Sequence, residues 1–205
     1  PEDLGRFKAQ ALAERLARRF GRPVAYALDP LTPGDWRHRG PMDQAALVIG
    51  CVDNPLAREA IARHMKRDRW WVDAGNGRDF GQVLVGNARV ADLPGAFDSG
   101  KGECRSLPLP TLVRPELLVP EAPRPPCAQA VADGEQTPTI NQAMATLVLE
   151  VVRRLIEGTC TWWQVYLDLG AGTLRTVDAS PEAVARTTGI GIRRLIEAAK
   201  ERVKL

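Results

Sequence analysis

The sequence predicts an α/β domain built on a mostly parallel sheet flanked by helices. Three observations carry that expectation. Ala45–Val52 is a nearly unbroken apolar run, bounded by polar residues and too short for a helix, which suits a strand buried on both faces. Asn54-Pro55 then opens a helix, with Asn at the cap and Pro at the first helical position. Trp70–Ala74 follows as a second strand and completes a strand–helix–strand unit.

A chain of 205 residues accommodates one sizeable domain of this kind. Hydrophobic residues at 44% and charged residues at 26% fit a globular class rather than a disordered or fibrous one. The net charge of +3 comes from scattered Lys and Arg, which argues against a nucleic-acid partner. No apolar run approaches the ~20 residues of a membrane span and no signal peptide is evident, so a cytoplasmic protein without a membrane partner is expected. The four Cys are widely spaced and contain no CxxC pair. They read as reduced thiols, with no support for a disulfide framework or for zinc.

Taken in order, the first helix is expected from about Leu4 to Phe20. Asp3 is its N-cap, Ala9, Leu12, Ala13 and Leu16 its apolar face, and Gly21 its stop. Val24–Leu28 reads as a strand, and the helix opened by Asn54 should run to roughly Arg67. Gly81–Val85 is a further strand. Nine prolines then fall within residues 87–138, which excludes regular structure over most of that segment. Thr139 caps a long helix, Ile140–Glu157, closed by Gly158. Val165–Leu169 and Leu174–Val177, joined through Gly170-Ala171-Gly172, form a C-terminal β-hairpin. Ser180-Pro181 begins a last helix, interrupted at Gly189–Gly191, whose basic end Ile192–Leu205 reads as a solvated face.

Ligands of such sheets sit beyond the carboxyl ends of the strands, and Asp53 is placed there. By residue type it suits either a hard oxygen ligand or a capping carboxylate at the following helix. Asn54 reads as that helix's cap. Lys8 lies one turn into the first helix, as a surface lysine or a point charge for phosphate. Arg58 is expected to face an acidic neighbour and stiffen the junction, with phosphate contact the lesser reading. Cys51 should be core, whereas Cys104 matters only if exposed and Cys160 carries no motif. His38 and His64 stand at no recognisable spacing from a nucleophile, so hydrolase chemistry has no support. Each of Trp70-Trp71 and Trp162-Trp163 should send one ring to either face of its strand, one into the core and the other available to a partner.

Three segments, in order, resemble the ThiF/MoeB/HesA superfamily of ubiquitin-activating-enzyme-like adenylating proteins. They are Asp3-Leu4-Gly5-Arg6-Phe7-Lys8-Ala9; Val48-Ile49-Gly50-Cys51-Val52-Asp53-Asn54-Pro55-Leu56-Ala57-Arg58; and Pro126-Cys127-Ala128-Gln129-Ala130 before a long helix. Trp70 to Asn76, Gly81-Gln82-Val83 and Ile140-Asn141-Gln142 look most similar to the ThiF-related member of PRTRC plasmid systems. The resemblance spans roughly residues 1–178, leaving 179–205 as a helical extension. It implies a Rossmann-like sheet, with residues 87–138 as a long proline-rich crossover loop. The family's Gly-rich nucleotide loop has no counterpart in the sequence, and it is expected upstream of Pro1, so the chain reads as truncated.

For function, the resemblance implies ATP-dependent adenylation of the terminal carboxylate of a small β-grasp, ubiquitin-like protein. It casts Asp53 as the Mg²⁺ ligand, Lys8 as a phosphate contact, and Asn54 and Arg58 as nucleotide-binding positions. Cys127 becomes the candidate acceptor of the activated carboxylate, against the alternative of an inert loop thiol. ATP and Mg²⁺ are the implied cofactors, without zinc, and a homodimer is the implied assembly. Two alternatives stand beside this one: adenylation of a small-molecule or tRNA-linked carboxylate, and a binding scaffold that keeps the fold without catalysis.

Overall fold

A computed structural model describes residues 3–29, 31–32, 45–66, 69–98, 104–120 and 137–196. Its centre is a five-stranded sheet in sequential order: β1 (Leu47–Gly50), β2 (Trp70–Asn76), β3 (Phe80–Gly86), β4 (Trp162–Asp168) and β5 (Thr173–Asp178). β1 and β2 run parallel, whereas β2–β3, β3–β4 and β4–β5 are antiparallel. The architecture is therefore mixed α/β, and the expectation of a mostly parallel sheet is corrected for the described strands. The reason lies in the connections. Parallel neighbours need a crossover of about a dozen residues or more. The β1–β2 link, which contains helix α2 (Pro55–His64), has that length, while β2 and β3 are joined by residues 77–79 and β4 and β5 by residues 169–172, too few to cross over. The β3–β4 link, residues 87–161, is long enough for either direction, so its length does not set that antiparallel pairing.

Helix α4 (Pro138–Ile156) covers one face, laying Ile140, Met144, Val148 and Val151 on Val72, Val83, Val85 and Val165. On the other face α2 and the short helix α3 (Pro110–Val113) enclose Val48, Ile61, Met65, Trp71 and Leu109. Beside them α5 (Pro181–Thr188) and α6 (Ile192–Ile196) bring Val184 and Leu195 against Trp163, Leu93, Phe97 and Leu107. The proline-rich segment thus supplies core: Leu93, Phe97, Leu107 and Leu109 are all buried. Prolines confine the described part of this segment to short elements, α3 among them, but they do not prevent apolar side chains from packing. The buried Asn87 side chain ties the segment to the end of β3, donating to the Arg105 carbonyl at 3.1 Å and accepting from the Leu107 amide at 2.8 Å, beside backbone bonds from the Asn87 and Ala88 amides to the Leu107 carbonyl. Among the described residues no helix is long and apolar enough to cross a membrane.

Several local expectations change for identifiable reasons. β1 is an edge strand with one described neighbour, and α4 packs against β2 and β3 rather than over it. Ile49 and Cys51 are consequently exposed, where a doubly buried strand and a core thiol were expected. Val24–Leu28 is not a strand: no described strand pairs with it, and Val24, Tyr26 and Leu28 stay exposed. Helix α1 spans Lys8–Phe20, starting later than expected, because Gly5 at φ 83° leaves the helical region and Asp3 pairs with Arg6 and Arg15 instead of capping. Its buried residues are Ala11 and Ala13, while Leu12 and Leu16 are exposed. α2 stops at His64, and Thr137 rather than Thr139 occupies the cap position of α4.

Gly86 ends β3 where the backbone of the proline-rich segment crosses it. A Cβ there would fall inside the contact shell of the Pro108 carbonyl oxygen and 2.7 Å from its carbon. Both obstacles are backbone, so the strand or the segment must shift. Gly86→Ala is expected to destabilise the domain by roughly 1–3 kcal/mol or more, read as a lower urea midpoint. An unchanged midpoint would mean that the 104–113 segment is not held against β3.

Candidate functional site

The carboxyl ends of β1 and β2 form the site. Past Gly50 the chain leaves the sheet through Cys51, Val52 and Asp53, and Asn54 begins α2. Asn54 has extended φ/ψ, and its Oδ1 accepts from the Ala57 amide at 2.8 Å; Pro55 takes the first helical position. Capping therefore belongs to Asn54. Asp53 is exposed, and its Oδ1 accepts from Asn54 Nδ2 at 3.3 Å. A carboxylate that is solvated and relieved of capping, at a strand's carboxyl end, suits a hard cation.

One helical turn on, Arg58 points inward. Its Nε donates to Asp73 Oδ2 at 3.2 Å and Oδ1 at 3.4 Å, with Arg58 7% and Asp73 0% exposed. The pair ties the start of α2 to the middle of β2. Burial raises the Asp73 carboxyl to about 6, against the opposing pull of the Arg58 charge. Gly75, two residues along β2 on the same face, is small enough to pass the guanidinium: a Cβ there would sit 3.2 Å from Arg58 Nη2. Sequence reasoning placed Arg58 opposite an acid but missed Asp73 as that acid. The signal available was a lone charge in the apolar strand Trp70–Asn76, on the face shared with Gly50 and Gly75.

The polar stripe continues across the sheet. Gly75 pairs with Gln82 and Gln82 with Tyr166, while Asp73 pairs with Leu84 and Leu84 with Gln164, so these side chains share one face. Tyr166 Oη donates to Gln164 Oε1 at 2.6 Å, and the Arg114 guanidinium lies 5.9 Å from the Tyr166 ring centroid. At the end of β2, Asn76 Nδ2 donates to Asn141 Oδ1 at 2.8 Å, which anchors the start of α4 beside the site. Sequence reasoning did not single out Gln164, Tyr166 or Arg114: Gln164 and Tyr166 share a face of β4, but only the tertiary fold brings Arg114 beside them.

The structure does not assemble the whole expected constellation. Lys8 is exposed and opens α1 rather than lying one turn inside it. No hydrogen bond or ion pair among the described residues joins it to Asp53. Arg58 is committed to Asp73, so the phosphate-facing reading of that side chain has no geometric support here. Cys127 and His38 lie outside the described residues. His64 Nδ1 lies 2.8 Å from the Ala60 carbonyl oxygen, within its own helix. No group of three or more His, Cys, Asp or Glu residues suited to a metal occurs among the described residues. Comparison with known protein families and with curated proteins returned no match.

Proposed function

We propose that the chain is an adenylating domain of the ThiF type, which activates the C-terminal carboxylate of a small β-grasp protein with ATP. The observation that supports it is the Asp53–Asn54 division of labour: Asn54 caps α2, and Asp53 remains a solvated carboxylate where ligands of a parallel βαβ unit bind. Asp53 would hold Mg²⁺ together with water and substrate phosphates, as a cation that keeps few protein ligands requires. When bound, Mg²⁺ neutralises the phosphate charge. The substrate carboxylate attacks the α-phosphorus and pyrophosphate leaves. The acyl adenylate then passes to Cys127, whose thiolate forms a thioester and releases AMP. Arg58 and Asp73 act as positioning residues that hold the Asp53–Asn54 corner on the sheet. The finer fold in this reading is Rossmann-like, and the assembly a homodimer.

Pyrophosphate exchange tests this. Incubation with ATP, Mg²⁺, labelled pyrophosphate and a β-grasp protein ending in Gly should return label to ATP. Deleting that protein's terminal residues should abolish the exchange. Exchange with a small carboxylic acid in place of the protein would redirect the reading to a small substrate. One rival is a scaffold that keeps the fold but not the chemistry. Absence of both nucleotide binding and exchange would support that rival.

Cys127→Ala should abolish any reductant-sensitive covalent species with the partner protein while sparing exchange, because adenylation and transfer use different groups. Intact mass with and without reductant reads the result. If Cys127→Ala still forms the same adduct, Cys127 has no acceptor role.

A further inference from the structure

The opposite end of the sheet from Asp53 carries a cavity that the adenylation reading leaves unused. Its volume is about 210 Å³, and its walls include Trp70, Trp162, Val85, Leu107, Cys104 and Cys160. Each tandem Trp pair splits. Trp71 and Trp163 are fully buried, whereas Trp70 and Trp162 are half-buried and line this space. A register shift in β4 between Trp162 and Gln164 accompanies that arrangement. The Arg154 guanidinium stacks 4.0 Å from the Trp162 ring centroid and holds that indole in place.

We propose that this cavity binds a small neutral aromatic molecule of one ring or two fused rings. The volume of about 210 Å³ has room for one ring or two fused rings, in a recess that is partly open to solvent and whose lining mixes apolar side chains with polar atoms. Among the described residues its lining contains no Asp, Glu, Lys, Arg or His, and the Arg154 guanidinium on Trp162 is already paired with Glu150 at 2.7 Å, so a charged ligand finds no unpaired counter-ion there. Two indoles provide edges and faces for offset or edge-to-face ring contacts, and two sulfurs provide polarizable surface at which rings pack well. The thiol protons are already directed to backbone, Cys104 Sγ to the Ser106 carbonyl at 3.6 Å and Cys160 Sγ to the Trp162 carbonyl at 3.4 Å. Burial pushes the Cys104 thiol up to about 12 and raises Cys160 as well, so both walls are neutral at physiological pH.

Benzene, indole and benzoate are suitable probes on the intact chain, with thiol alkylation by N-ethylmaleimide followed residue by residue through peptide mass. Saturating indole or benzene should slow modification of Cys160 at least fivefold, leave exposed Cys51 unchanged, and do so saturably. Benzoate should give no protection at equal concentration. Ala179→Leu, which narrows the cavity from the segment after β5, should weaken indole protection about tenfold or more. Protection of Cys51 and Cys160 alike, equal protection by benzoate, or no saturable protection up to the solubility of the probes overturns the proposal. Should Ala179→Leu fail to fold, the benzene–benzoate contrast and the Cys51 reference decide alone.

Discussion

Replacing Asp53 by Asn is expected to lower Mg²⁺-dependent pyrophosphate exchange by roughly 10²-fold or more, the scale of losing a group that stabilises developing charge. The fold should survive. Asp53 is exposed and Asn54 carries the cap, so the stability change should stay within about 0.5 kcal/mol, as for other surface sites. The amide preserves shape and removes the charge that attracts the cation. Titrating Mg²⁺ in the exchange assay separates the causes: loss of a ligand raises the Mg²⁺ concentration needed, and excess metal restores part of the rate. Exchange equal to wild type at limiting Mg²⁺ would remove Asp53 from the chemistry.

The largest structural effect should follow from breaking the buried pair. Arg58→Met leaves the Asp73 carboxylate buried without its partner, a change that costs roughly 3–5 kcal/mol in comparable pairs. The pH dependence identifies the mechanism. In the wild type the Asp73 carboxyl titrates near 6 when folded and near 3.8 when unfolded. Between those values the folded state binds more protons than the unfolded one. Its contribution is therefore greatest below about 3.8 and falls as pH rises through about 6, by roughly 3 kcal/mol in all. Without Arg58 the folded carboxyl titrates higher still, so the penalty should be largest at pH 8 and shrink markedly at pH 5. Arg58→Met combined with Asp73→Leu should recover most of the loss, because an apolar pair leaves no buried charge. Urea midpoints of the single and double variants at both pH values give the answer. A penalty equal at pH 5 and pH 8 would mean that lost packing, not the stranded carboxylate, is the cause.

Much of the local structure was legible in the sequence because its causes are local. The Asn54-Pro55 and Ser180-Pro181 starts, the Gly189 stop, the hairpin between β4 and β5, and the strand character of Trp70–Ala74 all depend on dihedral preference and capping within a few residues. Asp53 could be placed at a strand's carboxyl end for the same reason. Strand direction was legible in principle too, since residues 77–79 are too few for a crossover, but the one strand–helix–strand unit dominated the reading. What only the tertiary structure decided were the neighbours. An apolar run such as Ala45–Val52 suits an edge or a centre equally, and strand pairing alone decided it: β1 has β2 as its one described neighbour, and α4 packs mainly on β2 and β3. Helical periodicity in α1 marked an apolar face but not whether anything packs on it, and Leu12 and Leu16 remain exposed. Prolines ruled out ladders in the long segment, yet Leu93, Phe97, Leu107 and Leu109 still fill the core, since burial depends on shape and apolar area rather than backbone regularity. Asp73 met Arg58 because α2 packs on the sheet face that carries Asp73, and Trp70 met Trp162 because the sheet sets their strands side by side; no spacing along the chain encodes either meeting.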